Sequence, residues 1–248
     1  MNENIIIDWN KNEWNQLLNI LNNLSKFCID IHIKNGNIRI PNDFNNTIFD
    51  IDLPKKNFSV ILPLIKDTLP ILKMFTPTSE TDVCTTEIDD VNFIIKDNTS
   101  VISYKKVSNT HIENNEYIED DKYNKYLKFT KENLGSIDLS DNILTRLITT
   151  IENFNVKDIT IKVDNKKFHL NLETLSYAKS SKFLTNTSIN LPDGEYKIST
   201  TLFLYPWKNV KIEFFPLNKE NDKYIAIANG ISTTNEETKI LAPFYLVK

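Results

Sequence analysis

Apolar residues recur at Trp14, Leu17, Leu18, Leu21 and Leu24, which fall on one face of a helix at 3.6 residues per turn. Downstream the period drops to two, with Ile29, Ile31 and Ile33, then polar Lys34–Asn37, then Ile38 and Ile40. Within the polar break, Asn35-Gly36 suits a tight hairpin turn, because both central positions need positive φ. The same succession returns 130 residues later without a gap. Leu144, Leu147, Ile148, Ile151 and Phe154 repeat the helical stripe. Ile159, Ile161 and Val163, the turn Asp164–Lys167, and Phe168 and Leu170 repeat the hairpin, and Asp8 meets Asp138. Each half therefore opens with a helix and a β-hairpin, and the chain reads as an internal duplication. In the second copy Ser140 or Asp138 can cap the helix.

The remainder is β-rich. Phe49–Leu53, Val91–Ile95 and Val101–Tyr104 read as strands in the first half; Tyr196–Tyr205, Val210–Phe215, Tyr224–Ala228 and Ile240–Val247 do so in the second. A second helix is expected from about Asn57, with Val60, Ile61, Leu64, Ile65 and Leu72 on one face. Pro63 and Pro70 make it short or kinked near Leu69. Its counterpart around Lys179–Asn186 is weak. Lys105–Asn133 lacks periodicity and holds Glu113, Glu116, Glu119, Asp120 and Asp121, as a linker or functional loop would. The expected organisation is an N-terminal domain over 1–108, a connector over 109–135 and a C-terminal domain over 136–248.

Composition removes several function classes. No run of uncharged apolar residues is long enough for a membrane span. The N-terminal stretch lacks the basic and apolar regions of a signal peptide, so a cytoplasmic chain is expected. Cys28 and Cys84 are too few for a disulfide framework or a cysteine-rich zinc site. Heavy use of Asn, Ile and Lys, with Arg39 and Arg146 the only arginines, suits an AT-rich genome such as that of a low-GC bacterium, its phage or another virus.

Catalytic constellations are missing from the sequence. With 4 glycines there is no phosphate-cradling loop. His32 and His169 alternate away from apolar strand faces, and His111 sits in an acidic stretch. Asp89-Asp90 and Asp120-Asp121 fall in no metal-binding or acid–base pattern. The expectation is a protein without catalysis, cofactor or metal.

Two α+β units, each helix, hairpin, helix and strands, joined by a long acidic connector, resemble the DNA sliding clamps. The likeness is to the T-even phage clamps and, more distantly, to proliferating cell nuclear antigen. Asp138–Leu147 running into Ile159–Val163 looks like the opening of the second clamp domain. Leu191–Lys197 looks like the turn entering its later strands, and Leu241-Ala242-Pro243 is similar to the antigen's tail. The chain departs from that pattern in a short segment after Leu170 and in lacking an acidic tail. The resemblance implies an α+β fold of two tandem duplicated clamp-type domains, with helices on one face of antiparallel sheets. It also implies a homotrimeric ring that encircles duplex DNA without reading sequence and tethers a polymerase after placement by a clamp loader. If phage-encoded, it would work in the host cytoplasm.

A formal net charge of −4 runs against nucleic-acid binding unless the charges segregate. They do so in part. Opposite the first apolar stripe lie Asn12, Gln16, Asn19, Asn23 and Lys26, without acids; in the repeat lie Arg146, Thr149 and Asn153. The second helix contributes Lys66 and Lys73. Under the clamp resemblance these face DNA; as bare chemistry they equally suit solvated helix faces. The resemblance also implies a partner-peptide pocket from Leu127 and Phe129 of the connector with Leu241, Pro243 and Phe244 of the tail, residues that could instead complete a core strand. A duplicated α+β adaptor that binds protein alone, without encircling DNA, is the rival reading.

Overall fold

The computed structural model describes residues 4–42, 45–89, 91–105, 117–128, 130, 132–154, 158–173, 180–218 and 223–247. They form two compact units, residues 1–44 with 50–118 and residues 45–49 with 119–248.

The first unit runs β1 (Ile5–Trp9), α1 (Lys11–Leu24), β2 (Ile31–Lys34), β3 (Asn37–Asn42), the end of β4 (Asn45–Asp52, whose first five residues fall in the second unit), β5 (Val60–Leu62), α2 (Ile65–Met74), β6 (Cys84–Ile88), β7 (Asn92–Lys96) and β8 (Val101–Lys105). That is strand–helix–three strands, twice. Strands β1-β6-β7-β8 form one antiparallel sheet, and β5-β2-β3 pair antiparallel with β4 beside β3. Helix α1 starts where it does because of a capping box. Asn10 Oδ1 accepts from Glu13 N at 3.0 Å, and Glu13 Oε2 accepts from Asn10 N at 3.1 Å. Its apolar face is fully buried, with Trp14 edge-on to Trp9 of β1 and Trp9 in turn edge-on to Phe58. The Trp9 indole donates to Thr86 Oγ1, so the buried ring keeps its hydrogen bond.

The hairpin at Asn35-Gly36 forms as its dipeptide dictates, with φ of 50° and 67°. Gly36 is required twice over, since a Cβ there would sit 2.1 Å from the Lys55 carbonyl oxygen. Gly36→Ala is expected to destabilise the protein by more than about 2 kcal/mol, combining left-handed strain with a backbone clash. The midpoint of urea unfolding reads this, and an unchanged midpoint would refute the close approach.

The second unit holds α3 (Asp120–Leu127), β9 (Gly135–Leu139), α4 (Asp141–Phe154), β10 (Asp158–Asp164), β11 (Lys167–Glu173), β12 (Ser180–Ser188), β13 (Gly194–Ser199), α5 (Thr201–Leu204), β14 (Trp207–Asn218), β15 (Lys223–Ser232) and β16 (Glu237–Leu246). After α3, strand–helix–three strands again occurs twice. Its eight strands form one antiparallel path, β12-β11-β10-β13-β16-β15-β14-β9. The core is aromatic, with Phe168, Tyr196, Phe214, Tyr224 and Phe244 linked in one chain of ring contacts. Ser140, not Asp138, stands at the head of α4, its carbonyl accepting from Leu144 N at 2.9 Å; Asp138 lies in β9.

Several expectations change. The stretch from Asn57 is not helical at its start. Val60–Leu62 is a strand, because two β-branched residues precede Pro63, and α2 begins only at Ile65. Pro70 lies inside α2 on its exposed side without ending it. The strand expected over Tyr196–Tyr205 stops at Ser199, and the next residues make the single turn α5. Part of the connector is helical, with Asp120 and Asp121 in the first turn of α3, where their charge suits the helix N-terminus. Among the described residues no helix is long and apolar enough to cross a membrane.

Candidate nucleic-acid interface

The polar side of α1 presents Asn12 and, just beyond its end, Lys26 fully to solvent, with Gln16 and Asn19 half-exposed between them. Asn23 is a correction. It falls on the same stripe by helical angle but is only 7% exposed. Helix α1 packs against α2 in this unit. Lys66 and Lys73 project from the exposed side of α2, with Asp67 beside them. On α4, Arg146, Thr149 and Asn153 are exposed, as is Glu152 on the flank of the stripe. The fourth helical position offers nothing comparable: Thr201, Leu202 and Phe203 of α5 are buried.

Three of the described helices therefore carry polar faces, with a basic excess on α2, where Lys66 and Lys73 outnumber Asp67, and none on α4, where Glu152 matches Arg146. The acid on α1, Glu13, is held by Lys55 Nζ at 2.8 Å and by the capping box. Of the two arginines only Arg146 is exposed. Arg39 lies 3.5 Å from Asp50 and over the Tyr117 ring at 5.8 Å. Asp52 shares this neighbourhood; partial burial works to raise its pKa, but hydrogen bonds from Lys56 and Asn37 prevail and hold it below the usual range.

The other titratable groups are structural. His32 is 5% exposed, and its Nδ1 accepts from Tyr117 N at 3.3 Å; His169 lies in β11, and His111 lies outside the described residues. Asp89 caps its own turn, accepting from Val91 N and Asn92 N; Asp90 is not described. Burial, with Asp97 adding to it, pushes the Cys84 thiol up to about 12, so it is no nucleophile. Among the described residues no three His, Cys, Asp or Glu side chains gather as a metal site would need.

The tail residues Leu241 and Phe244, expected in a partner pocket, are core residues of the second unit. Strand β16 is central in its sheet, paired to both β13 and β15, so its apolar side chains meet the sheet's own core. Pro243 and Leu127 remain half-exposed, and Phe129 is not among the described residues. Sequence reading missed an exposed apolar pair, Ile29 and Leu64, which it placed on a strand core and a helix face. The signal available was Pro63, which ends β5 and strands Leu64 outside the helix.

No family model matches the sequence, and no curated protein matches it. Solved structures do match the fold. The PCNA2–PCNA3 complex of Sulfolobus tokodaii is similar at TM-score 0.57 and 15% identity, covering 98% of both chains. The DNA polymerase III β subunit of Pseudomonas aeruginosa is similar at 0.60 and 10%, covering 100% of this chain and 67% of its own. The Helicobacter pylori β clamp, solved with a DNA ligase peptide, gives 0.57 and 12%, covering 98% and 66%. The chain thus has a clamp-type fold, spanning nearly all of the first protein and about two-thirds of the bacterial ones.

Proposed function

We propose that this chain is a DNA sliding clamp. Three copies close head to tail into a ring around duplex DNA, the ring slides without reading sequence, and it tethers a replicative polymerase after opening by a clamp loader. The observation that carries the reading is the fourfold strand–helix–three-strand repeat, with polar faces on α1, α2 and α4. Such faces suit loose water-filled passage over phosphates, since retention comes from topology rather than tight contact. The protein needs no catalytic group, cofactor or metal for this. The Asn-, Ile- and Lys-rich composition fits a low-GC phage or related virus, in line with the T-even likeness, and a host-cytoplasmic site of action.

Asn12, Gln16, Asn19, Lys26, Lys66, Lys73, Arg146, Thr149 and Asn153 are the residues assigned to the DNA side. Asn23, which is buried, is not among them. Leu127 and Pro243, with Phe129, are what remain of the partner-peptide site. The test is retention on closed circular DNA, which should collapse when the circle is linearised. Lys73→Glu combined with Arg146→Glu is expected to lower retention about tenfold and flatten its salt dependence, with unfolding unchanged. Equal retention on linear and circular DNA would defeat the ring, and full retention by the double variant would defeat the inner-face assignment.

A further inference from the structure

Of the 4 glycines, two follow an asparagine: Gly36 after Asn35 and Gly230 after Asn229. Such a pair can react with itself, because no Cβ crowds the glycine nitrogen as a nucleophile. Once hydroxide takes its proton, that nitrogen attacks the asparagine Cγ. The new N–C bond replaces the Cγ–Nδ2 bond, and ammonia leaves. Water then opens the five-membered imide at either carbonyl. The product is aspartate or isoaspartate, the latter with an extra methylene in the main chain. Water is the only co-reactant. In sequence the two pairs are equivalent; in the fold they are not.

Gly230 lies inside β15, opposite Val210 of β14 on one side and Thr238 of β16 on the other. Reaching the reactive geometry there means pulling a central strand out of its sheet. Asn35 instead sits exposed at a hairpin tip, and its side-chain amide makes no hydrogen bond among the described residues. Gly36 N donates to the Phe58 carbonyl at 2.9 Å, and Asn35 N donates to Ser59 Oγ at 3.1 Å. The Gly36 carbonyl accepts from Leu53 N at 2.9 Å. These restraints all come from one irregular loop, residues 53–59. Opening a tip and a loop costs far less than extracting a central strand.

We infer that Asn35 is a deamidation site of the folded protein, that Asn229 is not, and that isoaspartate at position 35 prevents the turn from closing again. The last step follows from packing. A Cβ on Gly36 would stand 2.1 Å from the Lys55 carbonyl oxygen and 2.7 Å from Lys56 Cα. An extra main-chain methylene ahead of Gly36 either drives its backbone into that space or lifts it away, and the bonds to Phe58 and Leu53 are lost in both cases. The modification is thus one-way: opening permits it, and its isoaspartyl product blocks closure. The assignment is independent of the ring and of DNA.

The experiment incubates the full chain, folded and in denaturing urea, in the same mildly alkaline buffer. Peptide mapping by mass spectrometry follows conversion at both asparagines. In urea the two rates should agree within about twofold, whereas in the folded chain Asn35 should convert at least about tenfold faster than Asn229. Ser59→Ala removes the acceptor of the Asn35 N–H and should speed Asn35 about threefold without changing Asn229. The isoaspartyl form, separated by ion exchange, should unfold at a lower urea midpoint than Asn35→Asp, whose normal linkage keeps the left-handed turn. Equal rates at the two sites in the folded chain, or no conversion of Asn35 there by the time the unfolded chain is fully converted, overturns the site assignment. An isoaspartyl midpoint equal to that of Asn35→Asp overturns the blocked turn.

Discussion

In the proposed trimer of about 86 kDa, three times 28.8 kDa, proline at one of two adjacent positions in β8, Ile102 or Ser103, should leave only monomer. Strand β8 closes its sheet, pairing with β7 on one side and, among the described residues, with nothing on the other. Its residues alternate between exposed and half-exposed, and Val101 is left open to solvent. In the second unit β12 has, among the described residues, a ladder partner, β11, on one side only. An unprotected edge invites another strand. Because the two edges differ, β8 of one copy against β12 of the next is a head-to-tail contact, which closes into a ring when the rotation per copy allows it. Successive N–H groups along a strand point to opposite edges. One of Ile102→Pro and Ser103→Pro therefore deletes an outward donor while sparing the β7–β8 ladder. Losing that bond and adding a ring to the contact should weaken association at least about a hundredfold. Light scattering across a dilution series reads the mass, and circular dichroism confirms the fold. A wild-type mass of 28.8 kDa at every concentration, with no retention on circular DNA, would sink the ring and leave a duplicated adaptor.

The duplication was legible because both copies of its first helix are long enough for a 3.6-residue period to stand out. The structure keeps the register: β1 and β9, α1 and α4, and β3 and β11 each begin 130 residues apart. The second doubling, within each half, was hidden. Helix α2 is only Ile65–Met74 with Pro70 inside it, and its approach, Val60–Leu62, carries the same apolar residues a helix would use. Helix α5 is one buried turn of Thr, Leu, Phe and Leu, too short for any period and rich in strand-favouring residues. The same limit explains the candidate site. Helical angle alone placed Lys73, Arg146 and Asn153 in water, since only the helix itself had to be known. Asn23 went wrong because the fold buries it although helical angle puts it on the polar side, and Leu64 because a proline left it outside the helix it was assigned to. The first is a tertiary fact with no local signature; the second had one, in Pro63.

Phe244→Ala separates a core role from a pocket role most sharply, and it is expected to destabilise the second unit strongly. The ring stacks on Tyr224 at 5.4 Å and meets Phe214 at 5.6 Å and Tyr196 at 5.8 Å edge-on. Tyr196 and Tyr224 also touch each other, and Phe168 extends the cluster through Phe214. Truncation removes a fully buried aromatic at the centre of this cluster, opposite Tyr224 in the β15–β16 ladder. The lost transfer energy and the cavity together cost about 3–5 kcal/mol, a large share of the roughly 5–15 kcal/mol that holds a domain folded. Its sequence neighbour provides the contrast: Tyr245 is largely exposed, and Tyr245→Ala should change stability by less than about 0.5 kcal/mol. Amide exchange along β15 and β16 is the readout, because it reports the second unit by itself even where the two units do not unfold together. Protection there should fall by a factor of 100 or more, consistent with about 3 kcal/mol, in Phe244→Ala and stay intact in Tyr245→Ala. Any loss of polymerase stimulation in Phe244→Ala would then be a consequence of unfolding. Wild-type protection together with lost stimulation would reverse the assignment and return Phe244 to the partner site.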